Sequence, residues 1–574
     1  TLLGVIDRTV TSPGARRLRA RLEQPLLDRA AIQARLDAVE ELVERPEAAD
    51  TLGEVLGRFR DVERLVSRAT YGKVSPRDLR AVADAAAAAP DLARALVVFQ
   101  CAELAAWGAK VPELSALAQA PDEALVDDPP ANVGEGLVFR AGWDPGLDEL
   151  RDLAKGGKRW IAKLQETERQ RTGIPSLKVG YNRVFGYYLE VTSAHQSKVP
   201  EHYIRKQTLT NAERYVTPEL KTEEERILSA EEKLRALELE RFSELRARVV
   251  AEAAPLQELA DAVGESDVLL SAARSARERN WVRPEITDEP VLVFEEARHP
   301  VVESLLAAGD FVPNDLELDA RSRQIAIITG PNMAGKSTFL RQAGLLAILA
   351  QTGSFVPARR ARVGIVDRVF TRVGASDNIA KGQSTFMVEM EETATILNAA
   401  TDRSLVLLDE VGRGTSTYDG LSLAWAVTEH LHERRGRPRT LFATHFHELT
   451  SMAGVHERIV NLNVQVKEWN GRVIFLRKIR PGAADKSYGI HVAELAGIPP
   501  SVVARARDIL DRLESGRFAR SAESAAPAEA QLTLFEPVRH ELEDLLTEFD
   551  PNSLTPLEAL ALLTEWKDRY GGRS

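Results

Sequence analysis

The chain has 574 residues, 44% of them hydrophobic, and its 86 acidic and 75 basic residues leave a net charge of −11. That length predicts about four domains of roughly 150 residues each. The acidic balance argues against a globally basic nucleic-acid binder but does not exclude a local basic patch. The single cysteine, Cys101, excludes an intrachain disulfide and a zinc-binding cysteine cluster. No apolar run is long enough to predict a membrane span. The single cysteine fits a reducing compartment, so we expect a cytoplasmic protein.

The first half of the chain has mainly helical patterns. Residues 1–140 are rich in Ala, Leu, Arg and Glu at helical spacing, which predicts several helices and little strand. Apolar residues recur at threes and fours over 147–170 and again over 219–263, which predicts two long antiparallel helices. The segment between them is β-branched and aromatic. We therefore predict a helical arm over 141–250 that carries a small β tip at about 174–216.

The second half alternates between short apolar runs and helical patterns. Continuous apolar runs bounded by helices predict a mostly parallel sheet buried on both faces, with strands at 324–329, 404–409 and 440–444. A further helix is predicted over 498–513, and a last helical piece over about 556–569. Between these two helices, Ala, Ser, Glu and Pro predict a flexible linker.

The segment Gly330–Ser337 fits the pattern G-x-x-x-x-G-K-[ST], after a predicted strand and before a predicted helix. The glycines let backbone N–H groups turn onto phosphate oxygens, and the helix N-terminus adds positive potential. We expect Lys336 to reach the β- and γ-phosphates and the Ser337 hydroxyl to ligate Mg²⁺. The alternative is a glycine turn that binds nothing.

Two acids end the apolar run that begins at Leu405, where ligands bind in open α/β sheets. Asp409 suits the Mg²⁺ shell, and Glu410 is the predicted base or water-orienting group for attack on the γ-phosphate. A helix N-cap is the alternative role for these acids. His445 ends the next apolar run and is predicted either to sense the γ-phosphate or to make structural hydrogen bonds. The absence of an Asn-Lys-x-Asp guanine signature favours ATP over GTP.

The β tip is locally basic. Between Lys178 and Tyr215 there are six cations and three acids, which predicts sequence-independent contact with DNA phosphates, with a solvated surface as the alternative. The predicted DNA-binding residues are Lys178, Arg183, Arg205, Lys206 and Arg214.

The chain resembles the MutS family of bacterial DNA mismatch-repair ATPases over nearly its whole length. The motifs that carry the resemblance are Leu177–Val191, Gln207–Tyr215, Ala297–Glu303, Phe311–Asp315, Gly330–Thr338, Phe370–Asn378, Gly382–Met390, Leu408–Gly420 and Thr444–Leu449. The resemblance implies a multidomain fold with an all-α lever and core, a long antiparallel helical arm bearing a β clamp tip, an α/β ABC-like P-loop ATPase and C-terminal helices.

The domains implied by this resemblance follow the chain in order. They are a lever and core at 1–140 continued at 251–282, a clamp arm at 141–250, an ATPase at 283–497, a dimerisation helix-turn-helix at 498–517, a flexible linker at 518–540 and a C-terminal helical segment at 541–574. The resemblance also implies an ATP-dependent, DNA-embracing clamp whose ATP binding and hydrolysis switch its DNA-bound state and recruit downstream repair factors.

The resemblance assigns roles around the nucleotide as well. ATPase domains of this class pair head to tail, so Ser384 is expected to meet the γ-phosphate of the partner in a homodimer. Phe311 resembles the residue that stacks on adenine, and His445 aligns with the family's switch histidine. The expected nucleotide-binding residues of the chain itself are Phe311, Gly330, Pro331, Asn332, Met333, Ala334, Gly335, Lys336, Ser337 and Thr338.

The expected partners are double-stranded DNA, a second copy of the chain, a MutL-type repair partner and the replication sliding clamp. The sliding-clamp prediction rests on a short motif after the predicted linker, at Gln531, Leu532, Leu534 and Phe535. The family reads mismatches with an N-terminal Phe-x-Glu, a pattern that occurs here only at Phe242, Phe294 and Phe446, in other settings. Thr1 aligns with the start of the family's lever, so we expect the mismatch-reading and connector domains to be missing.

Three other interpretations of the chain's function remain open from the sequence alone. The chain is compatible with an ABC-type ATPase of chromosome maintenance, although that class carries a Ser-Gly-Gly-Gln-like signature and much longer coiled coils, neither of which is seen in this sequence. It is also compatible with a family paralogue that naturally lacks the mismatch domain and acts on recombination intermediates. A third reading is a DNA-clamp scaffold with a vestigial ATPase, against which Lys336, Asp409 and Glu410 argue.

Overall fold

The computed structural model describes residues 1–182, 184–307, 309–331, 334–373, 385–469, 472–483 and 489–514, with five further positions between 560 and 566. Residues 1–492 form one compact unit, and residues 493–574 are assigned to a second. Among the described residues, every helix is too short or too polar to cross a membrane.

The first 140 residues are mainly helical up to Ala124, as their apolar spacing predicts. The helices are α1 (Leu2–Ile6), α2 (Ser12–Glu23), α3 (Arg29–Glu44), α4 (Pro46–Leu56), α5 (Val62–Thr70), α6 (Pro76–Val97), α7 (Ala102–Ala109) and α8 (Ser115–Ala124). The only extended pairing here is an isolated bridge between Leu125 and Phe139. Local chemistry sets several helix ends; for example, Ser75 and Asp78 form a reciprocal capping box at the start of α6.

Two long helices, α9 (Pro145–Thr172) and α10 (Pro218–Ala251), form an antiparallel pair. Three ion pairs show that the helices run in opposite directions, because the partner's residue number falls as the number of the first residue rises. They are Asp144 to Arg241 at 2.8 Å, Arg151 to Glu238 at 3.1 Å and Lys158 to Glu231 at 2.6 Å. The helix predicted over 219–263 is divided at Glu252, where α11 (Ala253–Arg279) begins. Pro255 explains the break, because it lacks the N–H that would bond the carbonyl of Ala251.

A four-stranded antiparallel sheet joins the far ends of α9 and α10. Its strands are β1 (Lys178–Asn182), β2 (Gly186–Thr192), β3 (Ile204–Thr208) and β4 (Ala212–Val216), in the order β1-β2-β4-β3. Ile161 and Leu164 of α9, Leu220 and Ile227 of α10 and apolar residues of the sheet share a separate small core. The sheet is therefore packed on the two helices rather than on the main core.

A six-stranded sheet dominates the rest of the first unit. Its strands are β8 (Ile325–Thr329), β10 (Val369–Arg372), β11 (Leu405–Asp409), β12 (Arg439–Ala443), β13 (Ile459–Trp469) and β14 (Arg472–Pro481). The order is β10-β11-β12-β8-β13-β14, and all neighbours are parallel except β13 and β14. Helices α13 (Lys336–Gln351), α14 (Thr385–Ala399) and α15 (Thr417–Glu433) connect the strands. The predicted multidomain mixture of helices and sheets is confirmed.

A second, four-stranded sheet was not predicted from the sequence. It has the order β5-β9-β6-β7, with β5 (Glu285–Thr287), β6 (Val291–Ala297), β7 (Asn314–Asp319) and β9 (Arg360–Gly364). The short helix α12 (Pro300–Glu303) lies between β6 and β7. Fully buried Arg439 of β12 joins the two sheets, since its guanidinium donates to the carbonyls of Val291, Gly364 and Ile365. These partners lie 74 to 148 residues away in sequence, so only folding brings them together.

The last helices are α16 (Gly489–Leu495) and α17 (Pro500–Glu514). In the second unit, the backbone N–H of Ile498 donates to the carbonyl of Ala493, and Arg507 is paired with Glu494 at 2.5 Å. The predicted linker at 518–540 and its motif Gln531–Phe535 lie outside the described residues, as do nearly all of 541–574.

Candidate nucleotide site and candidate DNA surface

Two glycines of the segment between β8 and α13 have positive φ angles. Gly330 has a φ of +132° and Gly335 a φ of +106°, a region that side chains strongly disfavour. A Cβ on Gly330 would also lie only 3.3 Å from the side chain of Val464 in β13. Both described positions thus require glycine, and α13, whose first free N–H groups suit an anion, begins directly after Gly335.

Lys336 begins α13 and is 1% exposed. Its ammonium donates to the carbonyl of Gly330 at the start of the loop. Burial lowers the pKa of Lys336, and the carboxylates of Glu410 and Asp409 act in the opposite direction. A buried cation held within the loop and facing two acids suits the binding of a polyanion.

Asp409 ends β11 and has a carboxylate that fits a divalent cation. One of its oxygens, Oδ1, is buried and has no hydrogen-bond partner among the described residues. The Ser337 hydroxyl hydrogen-bonds the carboxylate, whose pKa burial raises above its ordinary value. An unsatisfied buried oxygen beside a hydroxyl provides two hard ligands of the kind that Mg²⁺ prefers. No cluster of three or more metal-ligating side chains occurs in the part of the chain that the structure describes.

Glu410 follows Asp409 and turns away from the strand, with a φ of +54° that is unusual for a residue other than glycine. Its backbone N–H donates to the carbonyl of Ala443 on β12 at 2.9 Å. Its carboxylate forms an ion pair with Arg413, whose side chain is 62% exposed. The Glu410 side chain is itself only 19% exposed, so it is held at the carboxyl edge of the sheet rather than free in solvent.

His445 lies at the same edge, because β12 is between β11 and β8 and ends at Ala443. Buried Thr444 donates its backbone N–H to the carbonyl of Ile328, which joins this strand end to the end of β8. The imidazole of His445 packs on Phe446 with ring centroids 4.2 Å apart. Partial burial lowers its pKa, with Arg413 and Lys336 contributing, so the neutral ring is favoured at neutral pH.

A cavity of about 270 Å³ opens beside the loop. Phe311 forms part of its wall, opposite Ala334, Gly335 and Thr338 of the loop and the start of α13. Sequence reasoning found these residues but missed several others that line the cavity, namely Val302, Leu306, Asn314, Gln342, Arg477 and Ile479. Val302 and Asn314 lie within the motifs Ala297–Glu303 and Phe311–Asp315, whereas Arg477 and Ile479 of β14 are more than 130 residues from the loop in sequence and gave no local signal.

Two further residues near the site were missed. Arg372 and Glu389 are buried close to Glu410, and Glu389 accepts a hydrogen bond from the backbone N–H of Gly412. The signal was present in the sequence, because Arg372 and Glu389 lie within the motifs Phe370–Asn378 and Gly382–Met390. Of the predicted site residues, Asn332, Met333 and Ser384 lie outside the described residues.

The sheet β1-β2-β4-β3 places the predicted DNA-binding residues at different positions. Lys178 and Lys206 are exposed, on the edge strands β1 and β3, and are in no ion pair among the described residues. Arg205 is exposed but paired with Glu213 at 3.2 Å. Arg214 is 19% exposed, paired with Glu190 at 2.9 Å and stacked on Tyr188 at 4.3 Å, so it is mostly committed to internal contacts. Arg183 lies outside the described residues.

Three family models match the chain. They are described as MutS domain III over residues 1–273, MutS domain V over 326–514 and DNA mismatch repair protein MutS C-terminal region over 536–567. Among curated proteins, the chain is 49% identical to the DNA mismatch repair protein MutS of Salinibacter ruber, over 99% of this chain and 67% of that protein. The chain belongs to the MutS family. The resemblance inferred from its motifs is thereby confirmed.

Other MutS proteins are similar to the same extent. Those of Rhodopirellula baltica and Anaeromyxobacter sp. (strain K) are 50% and 51% identical over 99% of this chain, which covers 65% and 67% of their lengths. The chain thus spans about two thirds of the length of these MutS relatives. The MutS domain V match contains the loop at Gly330, both acids and His445, whereas Phe311 lies between the domain III and domain V matches.

Proposed function

We propose that this chain binds and hydrolyses ATP and that this cycle switches its DNA-bound state during mismatch repair. One observation carries the enzymatic part. Lys336, Ser337, Asp409, Glu410 and His445 come from three strand ends that are adjacent in one sheet. This edge is where open α/β sheets bind ligands, and each side chain has a chemistry that phosphoryl transfer requires.

Each residue of the site is assigned a separate role in this proposal. The backbone of the Gly330–Gly335 turn and the start of α13 would bind the phosphates, and Lys336 would neutralise their charge. Ser337 and Asp409 would hold Mg²⁺, which supplies charge neutralisation to the phosphate oxygens. Glu410 would orient the attacking water and accept its proton, and the neutral imidazole of His445 would contact the γ-phosphate side.

The nucleotide base is proposed to enter the cavity beside Phe311. Its volume of about 270 Å³ is in the range that a purine ring system needs, and its wall combines an aromatic ring with the polar side chains of Asn314 and Gln342. Stacking on Phe311 would place adenine next to Thr338, so the base and the phosphates would bind on either side of the loop.

Two further parts of the proposal rest on the family. We infer that two copies pair head to tail, with Ser384 of each approaching the γ-phosphate bound by the other. We also infer contacts with a MutL-type repair partner and, through Gln531, Leu532, Leu534 and Phe535, with the replication sliding clamp. These residues lie outside the described part of the chain, so support comes from their motifs alone.

Double-stranded DNA is the proposed partner of the β1-β2-β4-β3 sheet. The ion pairs of Glu190 and Glu213 neutralise two of the three acids of this region, and Lys178 and Lys206 remain exposed. A surface of this kind contacts phosphates without reading sequence. The long antiparallel pair α9 and α10 would carry it away from the ATPase and connect it to α11.

The Glu410→Ala variant tests the enzymatic proposal. Removing the carboxylate should leave ATP affinity within about 3-fold of wild type, because binding depends on the loop and Lys336, and should lower steady-state turnover by about 100-fold or more. Glu448→Ala is the matched control, since Glu448 is an exposed acid three residues after His445, and it should leave both quantities unchanged. Normal turnover by Glu410→Ala would refute the assignment.

A further inference from the structure

Three elements meet behind the turn that carries Glu410. Arg372 ends β10 and is paired in register with Leu408, the residue before Asp409. Glu389 lies on α14, in the second turn of the helix. The side chains of Arg372 and Glu389 are only 7% and 6% exposed, which makes this a buried ion pair within the ATPase.

The carboxylate of Glu389 connects two of these elements to the turn. One oxygen, Oε1, accepts the backbone N–H of Gly412, two residues after Glu410. The other, Oε2, accepts from the guanidinium of Arg372 at 3.1 Å. Arg372 also approaches Glu392 at 3.3 Å, but that acid is 45% exposed. Of the two α14 acids that contact Arg372, Glu389 is the one with a hydrogen bond to the turn.

The turn from Glu410 to Gly412 needs such support because its backbone is strained. Glu410 has a φ of +54°, which is strained for a residue with a side chain, whereas glycine adopts the φ of +90° found at Gly412 without strain. Gly412 also packs directly on the start of α15, where a Cβ would lie 2.4 Å from the carbonyl oxygen of Gly420. The backbone that directs the Glu410 side chain is thus held by two anchors, the carbonyl of Ala443 on its own N–H and the carboxylate of Glu389 on the N–H of Gly412, while Arg413 pairs with the carboxylate itself.

We propose that Glu389, held by Arg372, is a positioning residue for ATP hydrolysis that keeps the Glu410 carboxylate aimed at the attacking water. The inference rests on the proposed function. Glu389 is not among the residues that line the cavity at Phe311, so it acts on hydrolysis and not on nucleotide affinity. Because it lies on α14, a displacement of this helix would reach Glu410 through the Gly412 hydrogen bond.

The test compares Glu389→Ala, Glu389→Gln and the matched control Glu392→Ala, which removes the other acid that contacts Arg372. In the full chain with ATP, Glu389→Ala should lower kcat by about 10- to 100-fold while KM and ATP affinity stay within about 3-fold. Glu389→Gln should retain more turnover than Glu389→Ala, because an amide oxygen still accepts the Gly412 N–H. Glu392→Ala should resemble wild type.

A second comparison separates positioning from a general loss of structure. Adding Glu389→Ala to Glu410→Ala should cause no further loss in single-turnover hydrolysis, because the positioned group is already gone. If Glu389→Ala does not fold, Glu389→Asp, which is one methylene too short to reach both partners, replaces it.

The outcomes distinguish the inference from the function on which it rests. Unchanged kcat in Glu389→Ala, with Glu410→Ala inactive, would overturn the inference alone. Equal losses of kcat and ATP affinity, or additive losses in the double variant, would also overturn it. Full turnover by Glu410→Ala would instead refute the proposed catalytic function.

Discussion

Replacing Lys336 with methionine separates the binding role of this lysine from its effect on the fold. Lys336→Met keeps most of the side-chain volume and removes the charge at a position that is 1% exposed. The lost interactions are charge-assisted hydrogen bonds to phosphate, which contribute about 1.5–3 kcal/mol. This corresponds to a Kd for ATP that is roughly 10- to 150-fold weaker.

The stability of the nucleotide-free protein should change much less. Burial already lowers the pKa of Lys336, which shows that the folded protein holds this charge at a cost. Replacing a buried charge by an apolar group of similar volume is often neutral or stabilising. The variant also removes a positive charge near Asp409, which should lower the stability. This loss should be small, because burial already raises the pKa of the Asp409 carboxyl and so favours its neutral form. We expect the unfolding midpoint to move by no more than about 3 °C.

The assay is calorimetric titration with a non-hydrolysable ATP analogue, with thermal unfolding of the same nucleotide-free samples. Arg341→Met is the control, because it removes an exposed cation from the same helix, α13, and should change affinity by less than about 3-fold. Wild-type affinity in Lys336→Met would refute the reasoning. A lowered affinity accompanied by a large fall of the unfolding midpoint would show that Lys336 supports the fold instead.

Two other predictions concern DNA and pH. Lys178→Ala and Lys206→Ala should each weaken binding to any duplex and reduce by about 1 the slope of log affinity against log salt concentration. Arg214→Gln removes a cation that is paired with Glu190, so it should change this slope less. Equal slopes in all three variants would contradict the proposed DNA-binding surface. Burial lowers the pKa of His299, whose Nδ1 caps α12 by accepting from Val301 and Val302 at 3.2 Å. The unfolded chain therefore binds a proton at His299 more readily than the folded chain does. The stabilisation that the neutral His299 cap gives the folded protein is present above about pH 6.5 and is lost as the pH falls through the folded-state pKa. The variant His299→Asn keeps a capping acceptor that does not titrate. Between about pH 7.5 and 5.5, the free energy of unfolding of this variant should therefore fall less than that of wild type. An equal fall in both proteins would contradict the argument.

The sequence was informative where a short segment carries the chemistry. The phosphate loop, the acids after β11 and the long helices α9 and α10 are each specified by neighbours within about one element, through turn geometry, apolar runs and helical periodicity. Family membership followed from the same motifs. The break at Glu252 was missed because apolar spacing continues across it, although Pro255 was a visible local signal.

The electrostatics of the β tip show a limit of counting charges. Six cations and three acids were visible in the sequence, but their pairing was not. Arg214 was expected to face DNA, yet Glu190, Gln207 and Tyr188 occupy its guanidinium. Strand register decides which cations lie beside an acid and which remain available for a phosphate. The register is set by burial of one face of the sheet and by pairing between strands that are distant in sequence.

By itself, the sequence determined which segments form the glycine-rich loop after β8, the acidic end of β11 and the long antiparallel helices, because those are local patterns. Only the tertiary structure decided that Phe311 and β14 close the cavity beside Gly335, that Arg439 ties two sheets together and that Glu389 reaches Gly412. These contacts join residues 23 to more than 100 positions apart. Their physical origin is the packing of separate elements around a shared core, which places side chains that no local periodicity relates.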